Sequence, residues 1–189
     1  MTYKESVEQM NELRRNILDI RKKIRGIQAG IEPEEVEDYE LSGPDGSIRL
    51  SQLFGDHDTL ILIHNMGAGC LYCTLWADGF NGAHEHLGNR AAFVVSSPDA
   101  PESQKEFAAS RGWGFRMVSH QGTSFAEDMG YTGEHGFEPG VSVFRKDGNR
   151  VLRVSDTSLG PGDDFCSVWH FFDMIPEGPN GWAPKYRYS

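Results

Sequence analysis

The sequence predicts an α/β protein with a central mixed sheet, helices on both faces of the sheet, and a helical extension at the N-terminus. Apolar segments of four to six residues alternate with helical segments between residues 59 and 118, and such alternation is typical of parallel strands joined by helices. A turn of composition Lys146-Asp147-Gly148-Asn149 then joins two further apolar segments, as in an antiparallel hairpin. The sheet should therefore contain both strand directions.

Residues 1–38 are predicted to form the N-terminal helical extension and an acidic linker. Residues 3 to 28 contain no proline, have their first glycine at position 26, and are rich in residues that favour helices. Their apolar positions alternate in spacings of three and four, which defines an a/d seam: Met10, Leu13, Ile17, Ile20, Ile24 and Ile27. Either the rest of the chain covers this seam, or a second copy does so in a homodimer.

Residues 39–176 are predicted to form the body of the protein, followed by an irregular tail at residues 177–189. Residues 59–64 form a nearly continuous apolar run, which suits a strand buried on both faces. The other expected strands are residues 39–41, 48–50, 92–95, 115–118, 141–144 and 151–154, and the expected helices are residues 74–87, 101–111, 125–130 and 163–174.

Composition excludes several classes of partner. The formal net charge of −10 argues against a nucleic-acid partner, because binding to phosphates depends on an excess of lysine and arginine. No apolar run approaches the roughly 20 residues of a membrane span, so no membrane partner is expected. Three cysteines in 189 residues do not make a disulfide scaffold, which favours functional cysteines and a cytoplasmic location.

Two of the cysteines, Cys70 and Cys73, form a C-x-x-C pair between a predicted buried strand and a predicted helix. Residues three apart share one face of a helix, so both sulfurs should lie on its first turn. The positive end of the helix dipole would stabilise the Cys70 thiolate and lower its pKa below the free value of about 8.5. The pair therefore predicts reversible thiol–disulfide exchange, with Cys70 as the nucleophile and Cys73 as its partner.

Three stretches of sequence resemble the thioredoxin superfamily. IRLSQLFG at residues 48–55 resembles the lead-in of the peroxiredoxin and thiol–disulfide oxidoreductase branches. CLYCTLWADGFNG at residues 70–82 and PGVSVF at residues 139–144 resemble, more narrowly, a bacterial thioredoxin-like family of unknown function. That family is often labelled predicted dithiol–disulfide isomerase and is related to the alkyl hydroperoxide reductase and thiol-specific antioxidant branch. The resemblance covers roughly residues 39 to 176.

The resemblance implies a thioredoxin-like fold and a thiol–disulfide oxidoreductase that acts through Cys70 and Cys73 on a protein or small-molecule disulfide or thiol. It implies no organic cofactor and no metal. Pro139 matches the cis-proline that faces the sulfurs in thioredoxin-like proteins. His64 stands six residues before Cys70, where thioredoxins commonly have a buried carboxylate.

His64 can be interpreted in two ways. Its neutral imidazole could take the proton of the second thiol as a general base, or the side chain could simply be satisfied by backbone groups at a strand end. The cysteine motif itself also differs from the thioredoxin pattern at two places. Gly69 replaces the tryptophan that often precedes it, and Leu71-Tyr72 replaces the familiar Gly-Pro between the cysteines.

The residues around the motif predict a surface for contact with substrate. Gly69 is small enough to let a partner backbone approach closely. Tyr72 lies between the cysteines and cannot be fully buried if the sulfurs are to meet a substrate. We include Trp76, four residues further along, in the same predicted contact surface.

Metal binding is the main alternative from a different class of function. Two thiolates and a histidine could bind zinc or copper, and the candidate histidines are His64, His120, His135 and His170. Copper chaperones of this fold usually separate their cysteines by three residues rather than two, and a structural zinc site would need a fourth ligand.

A peroxidase is the third interpretation. Peroxiredoxins carry the pattern P-x-x-x-[T/S]-x-x-C before the reactive cysteine, but Ile63 and Gly67 occupy the first and fifth positions of that pattern before Cys70. Cys73 does not fit either. Cys166, on the predicted last helix, is expected to be a buried, inert thiol, and the alternative is that it resolves an oxidised Cys70.

Overall fold

The computed structural model describes residues 1–188 and divides the chain into two compact units, Met1–Pro33 and the remainder from Glu34 onwards. Ser189, the last residue of the predicted irregular tail, lies outside the described residues. The first unit is helix α1, Tyr3–Ala29. A capping box begins it: the Glu5 N–H donates to Thr2 Oγ1, and the Thr2 N–H donates to the Glu5 carboxylate. No residue of α1 is buried.

The second unit is built on an eight-stranded mixed sheet and a separate small hairpin. The strands are β1 Glu34–Val36, β2 Glu40–Gly43, β3 Gly46–Arg49, β4 Thr59–His64, β5 Ala92–Ser97, β6 Arg116–Ser119, β7 Thr132–Gly133, β8 Gly136–Phe137, β9 Gly140–Asp147 and β10 Arg150–Ser158. The order in the large sheet is β1-β10-β9-β4-β5-β6-β2-β3, and β7 pairs with β8 in the hairpin. The central pairs β4·β5 and β5·β6 are parallel, and the other pairs of the large sheet are antiparallel.

Helices cover both faces of this sheet. They are α2 Leu71–Asn81, α3 His84–Arg90, α4 Pro101–Arg111, α5 Phe125–Asp128 and α6 Ser167–Phe172. Leu60 and Leu62 of β4 pack into one core together with Phe125 of α5. Ile63 packs into a second core with α2 and α6. Successive side chains of a strand point to opposite faces of a sheet, which explains why neighbouring residues of β4 enter two different cores. The mixed sheet with helices on both faces confirms the predicted fold class.

Three elements differ from the sequence-based expectation. Glu34–Val36, predicted to lie in a linker, is strand β1 and pairs with the edge of β10. The helix predicted over residues 74–87 is divided into α2 and α3 around Gly82. The last helix is shorter than predicted because the Asp163 carboxylate accepts the N–H groups of Phe165 and Cys166, which holds residues 163–166 in a turn.

Candidate active site

The site lies where β4 ends and α2 begins. Cys70 is the N-cap residue of α2, with an extended backbone, and its sulfur accepts the Cys73 N–H at 3.0 Å. A side-chain acceptor at this position satisfies one of the free N–H groups at the start of a helix. The Thr74 hydroxyl donates to the Cys70 carbonyl at 2.9 Å. The nucleophile predicted from the motif thus lies at the positive end of an 11-residue helix.

The two thiols have opposite electrostatic environments. A hydrogen bond from the Cys73 side chain is the main cause that lowers the pKa of Cys70 to about 7, and the N–H groups of Cys73 and Tyr72 add to it against the effect of burial. The same hydrogen bond and burial raise the pKa of Cys73. Cys70 is half-buried, whereas Cys73 is only 2% exposed. Cys70 is therefore ionised in a large fraction of molecules at neutral pH, whereas Cys73 stays protonated.

The loop before Cys70 is held by two polar side chains. The Asn65 side-chain oxygen accepts the Gly67 N–H at 2.8 Å, and the Asp99 carboxylate accepts the Ala68 N–H at 2.9 Å. Gly67 has a φ of +98°, and a Cβ on it would lie 2.9 Å from both Asp99 oxygens. A side chain at position 67 would therefore be strained in two ways.

The placement of Asp99 beside the cysteine loop has a signal in the sequence, although Asp99 is not among the predicted site residues. Asp99 follows β5, and the cysteine loop follows β4. These two strands are parallel neighbours, so the segments that leave their carboxyl ends meet at the same edge of the sheet. Asn65 lies in the cysteine loop itself, directly after β4.

His64 lies at the end of β4 and is 2% exposed. Its Nε2 is 2.9 Å from the Ser142 hydroxyl, and its ring stacks on Tyr131 with centroids 3.8 Å apart. No partner for its Nδ1 lies within the described part of the chain. Burial, reinforced by His120 and Arg153, lowers the pKa of His64 to about 3. The imidazole is thus neutral and a very weak base, which argues against the predicted general-base role.

Pro139 and His64 line one small cavity together with Cys73 and Trp76. This places Pro139 next to Cys73. The predicted cis bond, however, is a correction: no peptide bond within residues 1–188 is cis, so the bond before Pro139 is trans. Trans is the lower-energy form by about 0.5–1 kcal/mol for bonds before proline. Two backbone hydrogen bonds flank this trans bond. The Glu138 N–H donates to the Tyr131 carbonyl, and the Leu159 N–H donates to the Pro139 carbonyl.

The three predicted contact residues have different exposures. Gly69 is exposed and Tyr72 is half-buried, in agreement with a surface role. Trp76 is only 2% exposed and belongs to the same core as Cys73, so it presents almost no surface to a substrate in this structure, and its predicted contact stays a prediction. Trp76 follows Cys73 by three residues on α2, and side chains at that spacing share a face, here the inward one.

Residues of the C-terminal tail also reach the site. The Tyr186 hydroxyl donates to the Ala68 carbonyl at 2.7 Å, and the Tyr186 carbonyl accepts a hydrogen bond from Arg111. Arg111 in turn forms an ion pair with Asp78 of α2. The sequence carries no signal for this contact, because residues 68 and 186 are 118 positions apart and the tail has no periodic pattern.

The third cysteine, Cys166, is buried at the start of α6, and burial raises the pKa of its thiol.

The candidate metal ligands do not come together in one site. Within residues 1–188, no group of three or more histidine, cysteine, aspartate or glutamate side chains is placed to hold a metal ion. The histidines proposed as metal partners therefore do not complete a site with Cys70 and Cys73.

Comparison with known proteins places this geometry in context. A model of the family described as "Bacterial protein of unknown function (DUF899)" matches residues 7–188. The sequence has no significant match among curated proteins. No helix within residues 1–188 has the length and apolarity needed to cross a membrane.

Solved structures of peroxiredoxins resemble the chain. Peroxidoxin BcpB from Mycobacterium tuberculosis is 26% identical, with a TM-score of 0.55 over 67% of this chain and 84% of its own. A mutant of Peroxiredoxin Q from Xanthomonas campestris is 19% identical, with a TM-score of 0.54 over 64% and 80% of the two chains. Reduced Prx3 from Vibrio vulnificus is 15% identical, with a TM-score of 0.54 over 70% and 89%. The fold is therefore thioredoxin-like.

Proposed function

We propose that this chain, which belongs to the bacterial family of unknown function DUF899, is a thiol–disulfide oxidoreductase that uses Cys70 and Cys73. One observation carries the proposal. The half-buried Cys70 sulfur, with its pKa lowered to about 7, accepts the Cys73 N–H at a helix N-terminus, with the buried Cys73 thiol beside it. An accessible thiolate next to a protonated partner thiol is the arrangement that two-step disulfide exchange requires.

In the first step the Cys70 thiolate attacks one sulfur of a substrate disulfide. A bond forms between Cys70 and that sulfur, the substrate S–S bond breaks, and one substrate thiolate leaves. In the second step the Cys73 thiol loses its proton to solvent or to the departing thiolate and attacks the Cys70 sulfur. The second substrate thiol leaves, so the substrate has gained two electrons and the protein has become the Cys70–Cys73 disulfide.

The neighbouring residues are proposed to position this pair. His64 and Pro139 close the buried side of Cys73, and the exposed Gly69 and half-buried Tyr72 flank the open side of Cys70. The substrate class is a protein or small-molecule disulfide or thiol. A cytoplasmic location stays a prediction from the small number of cysteines.

A redox titration tests the proposal. The protein is equilibrated in glutathione buffers of defined potential, and the thiols of peptides containing residues 70 and 73 are counted by mass spectrometry. We expect one reversible two-electron couple assigned to Cys70–Cys73, with Cys166 reduced throughout. A Cys70–Cys73 pair that stays dithiol at every potential, or that becomes oxidised irreversibly, would refute the proposal.

Peroxide reduction is a second candidate, favoured by the likeness to Peroxidoxin BcpB. The Cys70 thiolate would attack the O–O bond and become a sulfenic acid with release of the alkoxide or hydroxide. The Cys73 thiol would then condense with the sulfenic acid, releasing water and forming the same disulfide. Gly67 and Ile63 stand where peroxiredoxins have their threonine or serine and their proline. Faster oxidation of Cys70 by hydrogen or alkyl peroxide than by disulfides would establish this alternative.

We also propose that α1 pairs with α1 of a second copy to form a homodimer. The a/d seam runs through nearly three heptads, and Leu13, Ile17 and Ile20 on it are exposed. Sedimentation of the full chain at micromolar concentration should give a dimer. Ile17→Asp places a charge in the seam and should give a monomer. Leu18→Asp, on an exposed non-seam position of the same helix, is the matched control and should leave the dimer intact. A monomeric wild-type protein would contradict the proposal.

A further inference from the structure

A pocket of about 220 Å³ lies beside the cysteine pair. Its wall includes Tyr72 from the motif and Trp169 from α6, and Trp182 and Pro179 from the C-terminal tail complete it. Pockets for drug-sized ligands are about 300–1,000 Å³, so this one fits a single side chain rather than a large molecule. Tyr72, which lines the pocket, is two residues from Cys70 on the first turn of α2, so a side chain near a substrate sulfur bonded to Cys70 can reach the pocket.

Three aromatic rings line the pocket, and each packs against at least one other. Tyr72 stacks on Trp169 with centroids 6.1 Å apart. Trp182 packs edge-to-face with Trp169 and with Phe172, at centroid distances of 5.9 Å and 4.9 Å. The backbone N–H of Trp182 also donates to the Pro179 carbonyl at 2.8 Å. The tail segment is thus ordered around the pocket by its own contacts.

The charge of the pocket lining determines which kind of side chain the pocket would bind. Among residues 1–188, Asp173 is the one charged residue that lines the pocket, and no lysine, arginine or histidine lines it. Aromatic faces carry negative potential and attract a cation within about 6 Å of the ring centroid. A carboxylate next to aromatic rings therefore favours guanidinium or ammonium over neutral or anionic groups, and the net charge of −10 acts in the same direction.

We propose that this pocket binds an arginine or lysine side chain of a peptide or protein substrate, close in sequence to the substrate cysteine that reacts with Cys70. The inference rests on the proposed thiol–disulfide exchange and adds the class of substrate to it. The tail is then part of the substrate site, which explains its anchoring to the cysteine loop through Tyr186 and Ala68.

Two peptide probes test the pocket. Each carries a cysteine bonded to 5-thio-2-nitrobenzoate, and the two differ only in the residue beside that cysteine, arginine in one and glutamine in the other. The Cys70 thiolate attacks the peptide sulfur, the probe S–S bond breaks, and the coloured thionitrobenzoate anion leaves. The readout is the ratio of the two second-order rate constants, and we expect about a tenfold preference for the arginine peptide at low salt.

Variants of the pocket residues test whether the preference for the arginine peptide comes from this pocket. Asp173→Asn removes the charge and Trp182→Leu removes an aromatic face, and each should reduce the ratio by about threefold or more. Glu177→Gln removes one charge from the same exposed segment outside the pocket and is the matched control, so its ratio should equal that of the wild type. Circular dichroism confirms the fold of each variant.

The outcomes separate this inference from the proposed function. No release of thionitrobenzoate from either probe would refute thiol exchange itself. Release at equal rates from both probes by the wild type would refute the pocket and leave the exchange reaction standing. A loss of preference in Glu177→Gln as large as that in Asp173→Asn would show that general charge, not the pocket, selects the substrate, and would also overturn the inference.

Discussion

Cys70 and Cys166 occupy the same local position in two different helices. Each is the N-cap residue of its helix, and their backbones are nearly alike, with φ and ψ of −95° and 109° for Cys70 and −126° and 112° for Cys166. Their pKa values nevertheless move in opposite directions, lowered to about 7 for Cys70 and raised for Cys166. The start of a helix is therefore not sufficient to activate a thiol.

The difference comes from the partners of each sulfur. The Cys70 sulfur accepts the N–H of Cys73 and a hydrogen bond from the Cys73 side chain. Within the described chain, the Cys166 sulfur accepts no capping hydrogen bond, and burial outweighs the nearby backbone N–H groups. The Asp163 carboxylate accepts the Cys166 N–H instead and adds a negative charge that raises the pKa of the thiol. Four predictions test this comparison, in order of decreasing expected effect.

Replacement of the activated thiol should have the largest effect. Cys70→Ser removes the nucleophile and should slow reduction of 2-hydroxyethyl disulfide by a factor of about 10³ or more. Cys166→Ser is the matched control, a cysteine at a helix N-cap with no proposed role, and it should keep the wild-type rate. The rate is measured by consumption of a coupled reductant. Equal losses in the two variants would contradict the comparison.

Alkylation should distinguish the two thiols in the wild-type protein. A thiol becomes a thiolate as pH rises, so the reaction of Cys70 with iodoacetamide should increase about tenfold between pH 6 and pH 8 and level off above that, around a midpoint of about 7. Cys166, buried and with a raised pKa, should react about a hundredfold more slowly at pH 7. Peptide mass spectrometry resolves the two sites, and comparable rates would show that helix position alone decides reactivity.

Removal of the Cys73 donor should bring Cys70 closer to Cys166 in behaviour. Cys73→Ala deletes the main cause of the lowered pKa, so the alkylation midpoint of Cys70 should rise by about one pH unit toward the free value of about 8.5. Cys73→Ser retains a hydroxyl donor and should shift the midpoint less. An unchanged midpoint in Cys73→Ala would assign the effect to the helix terminus instead.

The smallest effect is expected at Asp163. In a protein that also carries Cys70→Ser and Cys73→Ser, Asp163→Asn removes the charge beside Cys166 and should lower its alkylation midpoint by a few tenths of a pH unit. The same protein unfolded in urea, with its thiol exposed, sets the reference midpoint. A rise of the Cys166 midpoint would mean that Asp163 acts mainly by holding the turn rather than through its charge.

Local patterns in the sequence predicted most of the fold and the placement of the two motif cysteines. The apolar run at residues 59–64, the turn at residues 146–149 and the heptad spacing of α1 are each recorded in consecutive residues, and the structure contains the corresponding elements. Strand β1 was not predicted because Glu34-Glu35-Val36 is acidic and short, and only the free edge of β10 makes it a strand.

For the candidate site as well, some features were predicted from neighbouring residues and others depend on contacts with distant parts of the chain. The C-x-x-C spacing and a position between a strand and a helix predict both sulfurs on the first turn of α2, and the structure places Cys70 and Cys73 there. The burial of Trp76 and the weak basicity of His64 could not be predicted, because both depend on what packs against them from distant parts of the chain. Desolvation of an imidazole is a property of its tertiary surroundings, not of its neighbours in sequence.

By itself, then, the sequence determined the order of strand, cysteine motif and helix and the placement of both cysteines at the start of α2, since each depends on residues a few positions apart. Tertiary structure alone decided which side chains surround that pair. Asp99 reaches the cysteine loop because β4 and β5 are parallel neighbours, and Trp182 and Tyr186 reach the site because a tail without periodic pattern folds back onto it. A contact over 118 positions leaves no periodicity in the sequence, which is why only the folded chain reveals that of the tail.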